Sequence, residues 1–324
     1  MNPIARIPES WFLPPLDNAI YLTGPTASGK TRIALEVAQR IDAEILSVDS
    51  MAVYRGMDIG TAKPTLSERE IIPHHLIDIR DPIDEYSVAE FLKDAHRVAL
   101  EIRARGKRVM LVGGTPLYLK SLLCGFFQGP EADWGFRKEI EEEVSQRGPE
   151  LLHERLAQVD PLSAHRIMPN DIRRMTRALE VAKLTGLPLS HWQTQFESFA
   201  IPKKSQAYVL AWDRSVLHQR VAARVESMVQ LGLVEEVRRL IDRFGGLGRT
   251  ASQAVGYKEP LEFLAGKIPF TTMQEQIVIH TRQFVRRQEI WFRSMPSLQR
   301  IEMSASTTNQ DFTKAIERIA QSID

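Results

Sequence analysis

The chain has 324 residues, 43% of them hydrophobic and 26% charged, ordinary values for a globular protein of about two domains. No apolar run approaches the ~20 residues of a membrane helix. Residues 1–18, broken by Pro3, Pro8, Pro14 and Pro15, lack a continuous apolar stretch, so neither a membrane partner nor a signal peptide is expected. The single cysteine, Cys124, excludes an internal disulfide and a thiolate cluster and suits a reducing cytoplasm. The net charge of +1 conceals segregation: nine acidic against four basic residues from Glu131 to Asp160, ten basic against four acidic from Arg166 to Arg224, and five arginines with one acid from Arg282 to Arg300. Basic segments suit a polyanion, with a solvated mixture of charges as the competing reading.

In chain order, the apolar run Ala19–Thr23 predicts a strand ending at Gly24. Ile33, Val37 and Ile41 share the face of a helix over Thr31–Ile41. Glu44–Val48 predicts a second strand, ending in Asp49-Ser50, and His75–Ile79 a third. Ser87 and Glu90 form a capping box for a helix to Arg105, stopped by Gly106. Arg108–Val112 predicts a fourth strand, ending in Gly113-Gly114-Thr115. Alternating strands and helices imply a parallel sheet, with ligands bound beyond the carboxyl ends of its strands. From about Asp133 to Phe196 only helices are predicted, one of them capped by Asn170, with Ile172, Met175, Leu179 and Ala182 on its apolar face and Gly186 at its end. Ala207–Trp212 returns as a strand; helices follow near 215–231, 251–265 and 271–293, then a strand over Leu298–Glu302 and a helix over Asp311–Ile323. The pattern is α/β: a P-loop-type parallel sheet core (19–130 and 200–324) with an inserted all-helical domain (131–199) and a helical C-terminal part. Residues 1–18 read as a leader, open to disorder.

Gly24-Pro25-Thr26-Ala27-Ser28-Gly29-Lys30-Thr31 satisfies G-x-x-x-x-G-K-[ST] between a strand and a helix. Its glycines let backbone N–H groups turn inward, the helix start adds positive potential, Lys30 adds a point charge, and the Thr31 hydroxyl can ligate Mg²⁺. The loop therefore binds a diphosphate or triphosphate. An ordinary NTPase adds a metal-binding acid at the end of a buried strand, but Val109–Val112 runs into Gly113 without one. Asp49 ends the second strand and is a metal acid, a base toward a second substrate, or a turn Asp.

Gly24–Thr31, Val48-Asp49-Ser50-Met51, Tyr54-Arg55-Gly56-Met57-Asp58-Ile59-Gly60-Thr61-Ala62-Lys63-Pro64, His74–Asp78, Val112–Thr115, Arg174, Arg177–Glu180, Val255–Glu259 and Thr281–Phe284 running on to Trp291-Phe292 together resemble the tRNA dimethylallyltransferases, or tRNA isopentenyltransferases. The likeness covers about residues 19–295 in order. It implies a P-loop core with a helical insertion, Mg²⁺, and transfer of a dimethylallyl group from dimethylallyl diphosphate to N6 of adenosine 37 in the tRNA anticodon loop. It also implies tRNA contacts at Asp49, Ser50, Met51, Ala52, Thr115, Arg137, Arg173, Arg174, Met175, Thr176, Arg177, Gln253, Ala254, Val255, Gly256, Tyr257 and Lys258. Diphosphate contacts are implied for Arg220 and Arg224. Ala52 stands where the family often carries Gln, near the target base. The eukaryotic branch carries a C-terminal zinc finger, which one cysteine cannot build, so the likeness is to bacterial-type members. A monomer is expected.

Adenine N6 is a poor nucleophile, so a base that takes its proton assists attack on the allylic carbon; Asp49 is the candidate, with Asp58 and Asp78 as rivals. Lys30, Thr31 and the loop N–H groups would stabilise the departing diphosphate. Arg282, Arg286 and Arg293 form a further stripe, read as RNA-facing, whereas Phe284 and Trp291 fall on the apolar side and are read as core. Two other readings stay open: a small-molecule P-loop kinase, which leaves the insertion and arginine stripes unexplained, and a nucleotide-switched RNA-binding protein, which leaves Asp49 and Thr115 idle.

Overall fold

A computed structural model describes residues 11–193, 201–304 and 309–322. Residues 1–10 of the leader, Phe196 and Ile323 lie outside the described residues. The chain begins β1 (Phe12–Leu13), β2 (Ile20–Thr23), α1 (Lys30–Arg40), β3 (Ala43–Ser47), α2 (Leu66–Ile71), β4 (His74–His75), α3 (Val88–Ala104), β5 (Arg108–Gly113) and α4 (Pro116–Cys124). It continues β6 (Phe126–Phe127), α5 (Trp134–Arg147), α6 (Pro149–Val159), α7 (Pro161–Arg166), α8 (Ile172–Thr185), α9 (Leu189–Trp192) and β7 (Gln206–Trp212). The last part is α10 (Arg214–Gln230), α11 (Leu233–Phe244), α12 (Arg249–Ser252), α13 (Lys258–Leu264), α14 (Phe270–Arg293), β8 (Gln299–Met303) and α15 (Asn309–Gln321). Two compact units result: residues 15–123 with 199–324, and residues 124–198 with the segment up to Pro14.

The α/β unit holds a six-stranded parallel sheet in the order β4-β3-β5-β2-β7-β8. Every residue of β2 and β3 is buried, as expected of strands covered on both faces. Ile33, Ala34, Val37 and Ala38 of α1 pack into one core with Ile20, Leu22, Met110, Tyr208 and Leu210, and each large apolar side chain so buried contributes about 1.5–3 kcal/mol. After β5 the chain leaves for the helical unit and returns as β7 on the other side of β2. The carboxyl end of β2 is therefore a topological switch point, where such sheets bind ligands. Among the described residues no helix is long and apolar enough to cross a membrane.

Three expectations change here. β4 is two residues long because Leu76 and Asp78 take positive φ, 59° and 57°, and the Asp78 carboxylate is held by Lys63 and Arg69. The helix expected over 251–265 is two helices, α12 and α13, and the residues between them pass the site described below. α11 had no counterpart in the sequence reading.

The helical unit contains α5–α9 and a two-stranded antiparallel ribbon. Its core gathers Phe136, Ile140, Leu152, Leu156, Met175, Leu179 and Trp192, with Phe127 stacked on Trp192 at 5.4 Å. The ribbon corrects the leader: Phe12 pairs with Phe127 and Leu13 with Phe126, so this part of residues 1–18 is a strand of the helical unit. Phe12-Leu13, cut off at once by Pro14-Pro15, is too short a run to read as a strand. The cap of α8 is Asp171, whose side chain accepts the Arg174 N–H, one residue beyond the expected Asn170.

Candidate active site

The phosphate-binding loop starts where β2 ends. Gly29 sits at φ 86° as the residue before α1, a left-handed conformation that glycine adopts without strain, and a Cβ there would lie 3.0 Å from the Phe312 ring. Lys30 Nζ donates to the carbonyls of Gly24 and Pro25, at 2.8 Å each, and lies 3.4 Å from Ser28 Oγ. Burial pushes the Lys30 ammonium down to about 7; Arg224 adds to the shift and Asp49 opposes it.

A cavity of about 780 Å³ opens beside this loop, lined by residues 26–31, Asp49–Ala52, Gly60–Pro64, Gly113–Thr115, Arg220, Arg224 and Gln253–Tyr257. Gly24 and Pro25 stay behind it, their carbonyls holding Lys30. Asp49 Oδ1 accepts the N–H of Met51 at 2.8 Å and of Ala52 at 3.2 Å, so the turn that follows β3 orients the carboxylate. Thr115 Oγ1 accepts the Ser50 N–H at 3.0 Å, which ties the loop after β5 to the Asp49 turn.

Arg220 and Arg224 rise from α10, whose other face buries Leu217, Val221, Val225 and Met228. Arg220 Nε donates to the Ala27 carbonyl at 2.6 Å, and its guanidinium lies over the Trp212 ring at 4.6 Å. Arg224 Nη2 reaches the Thr61 carbonyl at 3.4 Å. Burial lowers both guanidinium pKa values, with Asp49 opposing at Arg224. Guanidinium groups keep their protons near neutrality, so the pocket holds desolvated positive charge. Among the described residues neither arginine, nor Lys30, forms an ion pair.

Several pocket residues were not foreseen. Phe284, expected in the core, is half-buried and lines the cavity with Arg287 and Gln288. Arg282 and Arg286 do not line it; the Arg282 Nε is buried and finds no hydrogen-bond partner among the described residues, and Arg286 is exposed. Trp291 is half-buried, with Lys120 Nζ 5.8 Å from its ring, and Phe292 is the buried aromatic. Lys258 lies outside the cavity, 3.8 Å from Glu262. Asp58 and Asp78, the rival bases, are spoken for by Lys63 at 2.8 and 2.6 Å.

Two buried acids hold the cavity wall from behind. Glu236 of α11 accepts the N–H groups of Asp58, Ile59 and Gly60 at 3.1, 2.7 and 3.3 Å and the Tyr257 hydroxyl at 2.7 Å. Glu259 accepts the Gly256 N–H at 2.8 Å and meets His280 Nδ1 at 2.6 Å. A signal for Glu236 existed: it falls on the same helix stripe as Leu233, Val237 and Leu240. A carboxylate on an apolar stripe has a partner to satisfy.

The candidate RNA contacts of the helical unit divide. Arg173 and Arg174 are exposed, the latter 3.2 Å from Asp171. Arg137 is bidentate on the fully buried Glu180, at 2.7 and 2.9 Å. Arg177 donates to the same carboxylate and to the carbonyls of Gln128 and Pro130, at 2.9 Å each. Met175 is buried in the unit's core, and the Thr176 hydroxyl donates to the Ile172 carbonyl at 2.8 Å. Met175 therefore offers no side chain to a ligand, as its place on the apolar face of α8 requires.

A phosphate-binding loop at the switch point of a parallel sheet, sharing one cavity with a strand-end carboxylate, defines a P-loop group-transfer enzyme. The chain belongs to the IPP transferase family, whose model matches residues 52–295. It is 48% identical over 320 residues to the tRNA dimethylallyltransferase of Rhodopirellula baltica, covering 96% of each chain. It is 44% identical to that of Polaromonas sp., covering 94% of this chain and 96% of the relative. Among solved structures it resembles the tRNA isopentenylpyrophosphate transferase of Bacillus halodurans, with a TM-score of 0.70, 37% identity and coverage of 95% and 97%. It also resembles a eukaryotic dimethylallyltransferase acting on tRNA, with a TM-score of 0.77, 25% identity and coverage of 94% of this chain and 78% of that one.

Proposed function

We infer that the chain transfers a dimethylallyl group from dimethylallyl diphosphate to N6 of adenosine 37 in the anticodon loop of tRNA, releasing diphosphate. One observation carries this reading: the phosphate-binding loop, with Lys30, Arg220 and Arg224 in no ion pair among the described residues, shares a cavity with the oriented carboxylate of Asp49. The diphosphate would lie on the loop, with the allylic carbon directed toward Asp49. The target adenine would be flipped from its stack into the cavity at a cost of a few kcal/mol. The N6–C1 bond forms as the C1–O bond breaks, the electron pair leaves with diphosphate, and an N6 proton passes to Asp49. Lys30, Arg220, Arg224 and the loop N–H groups stabilise the charge that grows on the leaving group.

Mg²⁺ fits the donor set of this cavity. It binds through one or two protein oxygens plus substrate phosphates and waters, and Thr31, the second residue of α1, lines the cavity. Thr31 would hold it, and the ion would neutralise charge on the departing diphosphate. Arg173 and Arg174 would meet RNA phosphates, and Gln253–Tyr257 would meet the anticodon loop. A monomeric cytoplasmic enzyme completes the reading.

The test incubates the protein with isotope-labelled dimethylallyl diphosphate, ATP and bulk tRNA. Label recovered as N6-(dimethylallyl)adenosine is expected. Phosphate release from ATP with unlabelled tRNA would favour a kinase or a nucleotide switch instead.

A further inference from the structure

Gln288 is polar, 1% exposed, and lies on the apolar stripe of α14 between Val285 and Phe292. Its two amide atoms are both used. Oε1 accepts the N–H of Thr26, inside the phosphate-binding loop, at 2.9 Å. Nε2 donates to the Gly114 carbonyl, in the loop after β5, at 2.7 Å. The approach depends on glycine: a Cβ at residue 114 would lie 2.8 Å from Nε2. The next residue, Thr115, accepts the N–H of Ser50 beside Asp49. A continuous chain of contacts thus runs from the loop proposed to hold the diphosphate, through one side chain of a distant helix, to the turn that orients the proposed base.

We propose that Gln288 is a positioning residue: it is the strut that sets the separation between the allylic donor on the phosphate-binding loop and Asp49. The proposal rests on the transferase reading given above. The physical reason is geometric. The parallel ladder between β2 and β5 ends at the Thr23–Gly113 pair, where the Thr23 hydroxyl also donates to the Gly113 carbonyl at 2.8 Å, and beyond it both loops are irregular backbone. An amide spans them because, without any change of protonation, it offers an acceptor to an N–H and a donor to a carbonyl. Loss of the strut leaves a buried donor and a buried acceptor without partners, and each loop relaxes toward another contact. Group transfer needs near-attack geometry, and a misplacement of about 1 Å can cost roughly 100-fold in rate. Of the two loops, one serves the diphosphate and the other the target base, and the remaining contacts of each substrate lie elsewhere, so affinities should survive a change that rate does not.

The test compares Gln288→Met, which removes both contacts at similar volume, with Gln288→Glu, which keeps the acceptor for Thr26 and sets an oxygen against the Gly114 carbonyl. Measurements are kcat, KM for dimethylallyl diphosphate and for tRNA, thermal melting, and amide exchange in the peptides spanning residues 24–31 and 113–115. For Gln288→Met, kcat should fall about 10- to 100-fold with both KM values within about threefold, and both peptides should exchange faster. For Gln288→Glu, kcat should also fall, with faster exchange at 113–115 only. Parental kcat in a variant that merely melts lower would overturn the proposal, leaving Gln288 as core packing. A rise in the donor KM at parental kcat would also overturn it, making Gln288 a stabiliser of the diphosphate loop alone. If the parental protein transfers no label, the transferase reading fails by itself; the exchange arm then decides the strut, and unchanged exchange in both peptides overturns it.

Discussion

Arginine has opposite fates in the two units. In the helical unit, Arg137 and Arg177 converge on Glu180, a carboxylate with no exposed surface, and their charge is spent on architecture. In the α/β unit, Arg220 and Arg224 are also half-buried, but among the described residues they meet backbone carbonyls and a tryptophan ring and no carboxylate in an ion pair. A partly desolvated cation that forms no ion pair is costly. Such a group persists where an anion from outside completes it. The contrast separates arginines that hold a fold from arginines that await a ligand, and it turns on the partner rather than on the residue.

The sharpest way to break this contrast is Lys30→Ala. Lys30 belongs to the awaiting class: it is half-buried, held among the described residues by two carbonyls and a hydroxyl, and pushed down to about 7. Transfer should be abolished and tRNA binding nearly unchanged, measured by single-turnover transfer beside RNA titration. Loss of both in a folded variant would join the two functions that the contrast keeps apart. Next comes Asp49→Asn. General-base assistance is worth about 10² to 10⁴ in rate, so transfer should slow by that range with both substrates saturating and both affinities little changed. Asn keeps the acceptor for the Met51 and Ala52 N–H groups. A variant that instead loses Mg²⁺-dependent diphosphate binding would make Asp49 a metal acid.

A third comparison stays within the helical unit. Arg137→Met strips one guanidinium from Glu180 and should cost about 1–3 kcal/mol of stability, read from denaturant unfolding. Replacing Arg173 and Arg174 together by Ala should leave stability within about 0.5 kcal/mol, because both side chains are exposed. The same double variant should weaken RNA binding and reduce the slope of log K against log salt by about 1 to 2. An unchanged slope would mean that these arginines face only water.

The strand–helix alternation, the phosphate-binding loop and the Ser87–Glu90 capping box were legible because each is written in adjacent residues with a fixed period or spacing. The extent of β4 was not, because the turn at Leu76 and Asp78 depends on Lys63 and Arg69 elsewhere in the chain. The fate of each arginine was not legible either: Arg173, Arg174 and Arg177 look alike on α8, and only Glu180 distinguishes them. The clearest unread signal was polar residues on apolar stripes. Gln288, Glu236 and Glu180 all occupy helix positions whose neighbours are buried, and all three proved to be fixed by several hydrogen bonds.

The smallest expected effect concerns Glu180 and pH. Burial alone would raise its carboxyl pKa, but the guanidinium groups of Arg137 and Arg177 and the Asp133 N–H outweigh it and hold the value below the ordinary range. A carboxylate depressed in the folded state stabilises the fold above its unfolded pKa, about 4.3 for glutamate. That contribution is lost as pH falls through the folded value, where the folded protein must also take up the proton. The stability gap between the parental protein and Glu180→Gln should therefore be full at neutral pH, begin to close below about pH 4.3, and vanish once the folded carboxyl is protonated. Asp160, in the same unit, is also depressed, its burial outweighed by hydrogen bonds from Ser163 and Ser190. It is present in both proteins and cancels in the difference, so unfolding of the pair across pH 2–7 isolates Glu180. A gap that stays constant to pH 2 would mean that the arginines do not stabilise its charge, and that shape alone holds Arg137 and Arg177 in place.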